Sequence, residues 1–265
     1  MNEHVAGGMI GKLARAAAAA AAAAGCAGLA AERADAGLLI DLRAVTLNDQ
    51  PLPAGSTAER VVVDGGDVVG INVIARVSGT NAVDDEGFQS MYGVFRSTTG
   101  GLLGDLSAST VAPFNGLGSQ NGSRIDVDGD GDLDIGDIPN GGINTLTAYW
   151  VARSNIVQRD GTPVATDPAA EEFVIGTLTW TATSAPAPGS ETFVDFIRRR
   201  NPGNPGTNGS AYSRWDEDGS GTASVRNGAD PYATDGLRIE AVPEPASTAL
   251  ATVAALGLLA RRRRP

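Results

Sequence analysis

Apolar residues that alternate with polar ones constrain the fold of this 265-residue chain more than any other feature. A period of two places alternate side chains on opposite faces of a β-strand. The clearest apolar sets are Val69, Ile71, Val73, Ala75 and Val77; Leu146, Ala148, Trp150 and Ala152; and Leu178, Trp180 and Ala182. Further strands are predicted at Leu38–Val45, Arg60–Val63, Phe88–Arg96, Glu172–Ile175, Thr192–Arg198 and Leu237–Ala241. No long segment has the 3.6-residue apolar repeat of a helix. The body is therefore predicted to be all-β, a two-sheet β-sandwich.

One stretch, from about Thr98 to Gly142, has few strand signals and is predicted to be a long insertion. On either side of the turn at Pro186–Gly189, the runs Gly176–Trp180 and Thr192–Phe196 resemble strands of the cohesin-type sandwich found in surface and cellulosome proteins. The resemblance implies the fold alone, and no binding residues carry over from it. Trp150 and Trp180 are expected in the core. Trp215, in a polar Gly-rich stretch, is the best candidate for an exposed sugar contact, although a structural role is favoured there too.

The scarcity of His, Cys and Lys restricts the catalytic chemistry open to this chain. The only His, Cys and Lys are His4, Cys26 and Lys12, all within the first 26 residues. If that region is removed, Ser-His-Asp and Cys-His catalysis, Schiff bases, His or Cys zinc sites and disulfides are excluded. We therefore expect a non-enzymatic protein.

The N-terminal residues 1–36 have the pattern of a secretory signal. Lys12 and Arg15 precede an unbroken Ala run, and Ala34-Asp35-Ala36 supplies the small residues of a cleavage site. The pattern predicts an apolar signal helix and an exported protein. Two alternatives stay open: a lipoprotein modified at Cys26, and an Ala-rich helix of the folded domain.

The C-terminal residues 242–265 contain three signals in sequence. Val242-Pro243-Glu244-Pro245 comes first, and an apolar stretch follows over residues 246–260, which is predicted to form a short transmembrane helix. Arg261, Arg262, Arg263 and Arg264 then form a membrane stop. The order resembles the PEP-CTERM sorting signal, which implies cleavage by an exosortase and delivery to the cell surface or extracellular matrix. The alternative is a plain transmembrane tail anchor.

The body between these ends is strongly acidic. Residues 37–245 contain 28 Asp or Glu and 13 Arg, and so carry a net charge of −15. Such a charge repels nucleic acid and anionic lipid, and it favours divalent cations. Residues 37–241 are predicted to form the sandwich domain.

The strongest chemical motif lies at 126–137. Its aspartates have the spacing of an EF-hand or dockerin calcium loop, which the motif resembles, and Gly131 occupies position 6, where the backbone turns sharply. The predicted ligands are Asp126, Asp128 and Asp130, the backbone carbonyl of Asp132, Asp134 through a water, and Asp137. Ile135 is expected to anchor the loop in the core. Pro139 to Gly142 replace the exiting helix of an EF-hand, so the resemblance implies Ca²⁺ coordination and not cohesin binding. The alternative is a solvated acidic loop.

A weaker copy of the motif begins at Asp216. Asp216, Asp218, Ser220 and Thr222 are its candidate ligands, with Gly221 at position 6. The alternative is an ordinary Asp/Gly turn cluster. Arg198, Arg199 and Arg200 form a basic run that suggests an acidic polysaccharide partner or, alternatively, a solvated strand end.

Three functions are open at this point. The first is a calcium-stabilised surface or matrix protein with an adhesive or structural role, whose partners are an exosortase and surface polysaccharide or matrix proteins. The second is a carbohydrate-binding module. The third is a glycoside hydrolase that uses paired carboxylates.

Overall fold

The computed structural model describes residues 37–79, 83, 85–116, 119–136, 149–152, 157–183, 187–198, 213–219, 224–225 and 233–242. The predicted signal helix, the apolar stretch 246–260 and the arginine tail lie outside these residues. Within them, no helix is long and apolar enough to cross a membrane.

All regular structure in the described residues is β-strand. In chain order the strands are β1 (Leu38–Leu47), β2 (Gln50–Pro51), β3 (Arg60–Val63), β4 (Val68–Ser78), β5 (Gly87–Gly100), β6 (Gly104–Thr110), β7 (Gln120–Asn121), β8 (Arg124–Ile125), β9 (Asp134–Ile135), β10 (Tyr149–Ala152), β11 (Thr162–Val164), β12 (Asp167–Ala182), β13 (Glu191–Arg198), β14 (Arg214–Asp216), β15 (Ser224–Val225), β16 (Ala233–Asp235) and β17 (Leu237–Ala241). The all-β prediction is confirmed.

Two sheets contain these strands. A seven-stranded sheet has the order β11-β12-β4-β1-β16, with β2 paired to β1 and β6 paired to β12. A ten-stranded sheet has the path β15-β14-β5-β13-β17-β3, and the short strands β7 to β10 attach on the β5 side. Most pairs are antiparallel, but β16 runs parallel to β1 and β3 parallel to β17.

Two of the three predicted apolar sets form the core between the sheets. Of the third, Leu146 and Ala148 lie outside the described residues, and Tyr149, which alternates with that set, is 0% exposed. Val69, Ile71, Val73, Ala75 and Val77 of β4 are all at most 1% exposed, and Leu178 and Trp180 of β12 pack in the same cluster. The threonines that alternate with these β12 residues are only partly buried, as expected on the outer face of the sheet; they are Thr177, Thr179 and Thr181. From the ten-stranded sheet, Phe95 and Tyr149 belong to the same buried cluster and contact each other edge to face, with 4.8 Å between ring centroids. The two-sheet prediction is therefore confirmed.

The prediction of a long insertion is wrong. Strand β5 extends to Gly100 and β6 follows at Gly104–Thr110, inside the stretch predicted to be an insertion. The β6 sequence is polar because its Ser residues face outward, but Leu106 is fully buried opposite Trp180 of β12. Trp215 is only 2% exposed, and its Nε1–H donates to Glu217 Oε1 at 2.9 Å, so it is a core residue and not an exposed sugar platform.

Candidate metal centre

Three loop aspartates converge on one point. One carboxylate oxygen from each of Asp126, Asp128 and Asp130 lies within 4.8 Å of the other two. Oxygens that bind one Ca²⁺ at about 2.3–2.6 Å are at most about 5 Å apart, so the three oxygens are close enough to share a cation. The structure thus brings together the side chains predicted at positions 1, 3 and 5.

The backbone of the loop turns around Asp126. Its Oδ1 accepts hydrogen bonds from the N–H of Gly129 at 2.6 Å and of Asp130 at 3.2 Å, and its Oδ2 accepts one from the N–H of Gly131 at 3.1 Å. Gly131 has a φ of 103°, a conformation that a Cβ disfavours, which agrees with the turn predicted at position 6. A carboxylate has about four acceptor sites, so these bonds leave Asp126 able to bind a cation.

Asp132 and Asp134 point instead into the protein, where both are 0% exposed. Asp132 Oδ2 accepts hydrogen bonds from Ser97 Oγ–H at 2.7 Å and from the N–H of Gly104 at 3.3 Å. Asp134 Oδ1 accepts the N–H of Ser97 at 2.8 Å, and its Oδ2 accepts the N–H of Val127 at 3.1 Å. The buried Asp134 carboxylate is thus already bonded to the protein, whereas the sequence predicted that it acts through water.

Burial and mutual repulsion govern the charge of these groups. Burial raises the pKa of Asp132 to about 7 and that of Asp134 to about 6. Hydrogen bonds from Ser97 oppose both increases, and the charge of Asp130 adds to them. Burial and then the charge of Asp130 also raise the pKa of Asp128, although the Arg96 guanidinium, with Nε 3.8 Å from Asp128 Oδ2, lowers it.

The loop lies where the two sheets meet. The N–H of Leu133 donates to Asp105 Oδ1 at 3.1 Å, and its carbonyl accepts the N–H of Leu106 at 2.6 Å, which ties the loop to β6 of the seven-stranded sheet. Ile135 is 1% exposed and pairs with Phe95 of β5 in the ten-stranded sheet. The prediction that Ile135 anchors the loop in the core is confirmed.

The sequence did not point to three residues that hydrogen-bond to the buried side of the loop, namely Ser97, Gly104 and Asp105. Ser97 follows directly after the predicted end of its strand at Arg96. If the alternation of that strand is continued from Phe95, the next inward position is Ser97. A small polar residue at a core position is the signal that could have identified Ser97. The predicted position-12 ligand, Asp137, lies outside the described residues.

Two buried carboxylate oxygens fit a cation-binding role. Asp130 Oδ2 and Asp132 Oδ1 are both buried and have no hydrogen-bond partner within the described part of the chain. An unpaired buried carboxylate oxygen is unfavourable unless a proton or a cation compensates it. Since carboxylate oxygens are the donors that Ca²⁺ prefers, the residues present fit this ion.

The second predicted cluster is arranged differently. Asp216 belongs to β14, is 1% exposed, and forms an ion pair with Arg159 at 2.5 Å. Its Oδ1 also accepts the N–H of Asp218 at 3.4 Å. A guanidinium thus already neutralises the carboxylate predicted at position 1. Ser220 and Thr222 lie outside the described residues.

The folded body leads directly into the C-terminal motif. Ala241, the last residue of β17, is 2% exposed, while Val242 is 44% exposed and donates its N–H to the carbonyl of Val63 at 2.9 Å. Pro243, Glu244 and Pro245 lie outside the described residues.

In a comparison with known protein families, residues 241–264 match the PEP-CTERM protein-sorting motif. That motif implies processing by an exosortase, a membrane enzyme, and export to the cell envelope or surface with transient membrane anchoring. Among solved structures, the chain is similar to a type III cohesin module from the cellulosomal ScaE cell-surface anchoring scaffoldin of Ruminococcus flavefaciens. The identity is 8% and the TM-score 0.33, over 81% of this chain and 93% of that one. No curated protein matches the sequence.

Proposed function

We propose that this chain is an exported cell-surface or extracellular-matrix protein, with a non-enzymatic adhesive or structural role and a β-sandwich stabilised by Ca²⁺. The observation that carries the proposal is the sorting motif at residues 241–264, which begins at the last residue of the final strand of the sandwich. The N-terminal signal predicted for residues 1–36 agrees with it. Surface polysaccharide or other matrix proteins are the proposed partners.

The intact mass of the protein recovered from cells tests the route of export. We expect a species that lacks residues 1–36 and also lacks Arg261, Arg262, Arg263 and Arg264, because both ends are processed. A matched strain without its exosortase is the control and should retain the C-terminal arginines. A mature mass that includes these arginines in the normal strain would contradict the sorting proposal.

The calcium part of the proposal is supported by the three convergent carboxylates and the two unpaired buried oxygens. Extracellular sites of this kind have dissociation constants of about 10⁻⁴–10⁻³ M. At 10 mM calcium, about 10–100 times these constants, binding to the folded state alone adds about 1.4–2.7 kcal/mol to the free energy of unfolding. For a domain of this size that corresponds to a melting temperature about 3–10 °C higher.

Thermal unfolding of the protein purified from cells, with EGTA and with 10 mM CaCl₂, measures this increase. We expect Asp126→Ala combined with Asp130→Ala to abolish it, because both side chains belong to the convergent set. Glu59→Ala removes an exposed carboxylate before β3 and should leave the increase unchanged. Equal melting curves of the wild-type protein in EGTA and in calcium would refute the calcium proposal.

The carbohydrate-binding alternative is not favoured by the tryptophans whose side chains the structure describes. Trp180 and Trp215 are 0% and 2% exposed, so neither offers a ring to a sugar. Binding of defined oligosaccharides on a glycan array would favour the carbohydrate-binding module, and turnover of chromogenic glycosides would argue against a non-enzymatic role.

A further inference from the structure

On the side that faces the protein, the loop has two buried carboxylate oxygens, one from Asp130 and one from Asp132. Asp132 is 0% exposed and uses Oδ2 to accept hydrogen bonds from Ser97 and Gly104, while its Oδ1 has no partner within the described residues. The carboxylate of Asp130 is adjacent, and its Oδ2 is buried and equally without a partner there. Two carboxyl groups therefore meet with no other donor between them.

A cation or a shared proton would compensate this pair, and the surroundings favour a cation. Asp130 belongs both to this pair and to the set of three convergent oxygens, so it connects the unpaired side of Asp132 to that set. In EF-hand loops the residue at position 7 binds the ion through its backbone carbonyl. Here that residue has a carboxylate buried under the loop, which changes the chemistry available at the position.

We propose that Asp132 binds the cation through its side-chain Oδ1 while its Oδ2 remains bonded to Ser97 and Gly104, so that cation binding locks the junction of the two sheets. Ser97 belongs to β5 of the ten-stranded sheet and Gly104 begins β6 of the seven-stranded sheet. One carboxylate thus connects the ion to both sheets. The inference rests on the calcium site of the proposed function and names the group through which that site acts on the fold.

Asp132→Asn tests the ligand. The amide oxygen can keep the bonds to Ser97 and Gly104, and the amide N–H₂, in the place of the unpaired Oδ1, supplies a donor towards the Asp130 carboxylate. We therefore expect opposite effects: the calcium-free protein melts at a higher temperature than wild type, and its calcium affinity, measured by isothermal titration, falls at least about tenfold, the loss that even an outer-shell partner can cause. A residue with a purely structural role would change the first quantity without the second.

Asp195→Asn is the matched control. Asp195 of β13 pairs with Arg96 of β5, whose Nε lies 3.8 Å from Asp128 Oδ2, and its own Oδ1 accepts the N–H of Phe196 at 2.7 Å. The substitution removes one negative charge from this neighbourhood but no proposed ligand and no group bonded to the loop, so calcium affinity should stay close to the wild-type value. An equal loss in Asp195→Asn and Asp132→Asn would assign the effect to general electrostatics and overturn the inference.

Hydrogen exchange of the wild-type protein tests the coupling even if Asp132→Asn fails to fold. Calcium should slow exchange at the loop amides and also at the amides of Ser97, Gly104 and Leu106, which donate to Asp134, Asp132 and Leu133. Protection confined to residues 126–131 would overturn the coupling, as would wild-type calcium affinity in Asp132→Asn. In both cases the calcium site itself would stand, whereas a wild-type protein that binds no calcium would refute the proposed function as well.

Discussion

Ser97→Ala measures how much the polar contacts beneath the loop contribute to stability. Ser97 is fully buried, and its hydroxyl donates to Asp132 Oδ2 at 2.7 Å and lies 3.3 Å from Asp134 Oδ1. Alanine keeps the backbone N–H that binds Asp134 and removes only the hydroxyl. A hydrogen bond to a charged group contributes about 1.5–3 kcal/mol, so we expect a loss of about 2 kcal/mol. The melting temperature should fall by about 4–8 °C.

Urea unfolding in EGTA at pH 8 is the appropriate assay, because this pH lies above the pKa of about 7 of Asp132. Ser107→Ala, which removes an exposed hydroxyl from β6, is the control and should change the free energy of unfolding by less than about 0.5 kcal/mol. The Ser97 hydroxyl stabilises the charged form of Asp132 and lowers its pKa, so its contribution is present at pH 8 and shrinks as the pH falls towards 5. A loss below 0.5 kcal/mol at pH 8, or an equal loss at both pH values, would refute the reasoning.

Two further predictions concern the loop turn and the outer face of the seven-stranded sheet. Gly131→Ala should destabilise the protein by about 1–3 kcal/mol in urea unfolding, because φ is 103° there, whereas Gly116→Ala, also in open space but without a positive φ, should have little effect; equal effects would contradict this. Hydrogen bonds from Arg43 lower the pKa of Glu172, so this pair stabilises the fold above the unfolded-state pKa and loses that contribution as the pH falls through the folded-state pKa. Glu172→Gln should therefore weaken the fall in stability measured below about pH 4.5; an unchanged acid limb would contradict it.

The strands could be predicted from the sequence because a strand that buries one face has apolar residues at every second position. Residue ranges for β3 and β17 agree with the prediction at both ends. Strand β6 could not be recognised in this way, since only Leu106 and its flanking Gly104 are buried there and its serines face outward. Its position follows from pairing with β12, a contact between residues far apart in the chain.

The loop shows the same limit at the level of single side chains. Local spacing was enough to bring Asp126, Asp128 and Asp130 together, because all three lie within one turn of backbone. Local spacing did not reveal that Asp132 and Asp134 turn inward, because their partner Ser97 lies on an earlier strand. The sequence could not place Trp215 for a related reason: its polar neighbours in sequence are not its neighbours in the fold, where it is buried beside β5.

The proposed route of export and the proposed cation site explain each other physically. Binding stabilises a fold in proportion to the logarithm of the ligand concentration relative to the dissociation constant. A site with the affinity typical of extracellular modules is empty where free calcium is scarce and fills where calcium is millimolar. On this proposal the carboxylates of the loop repel one another before export and weaken the junction between β5 and β6 at the stage when the chain crosses the membrane. After export the bound ion compensates this repulsion and is coordinated by the same carboxylates. The sandwich therefore becomes most stable at the cell surface, where the sorting motif delivers it.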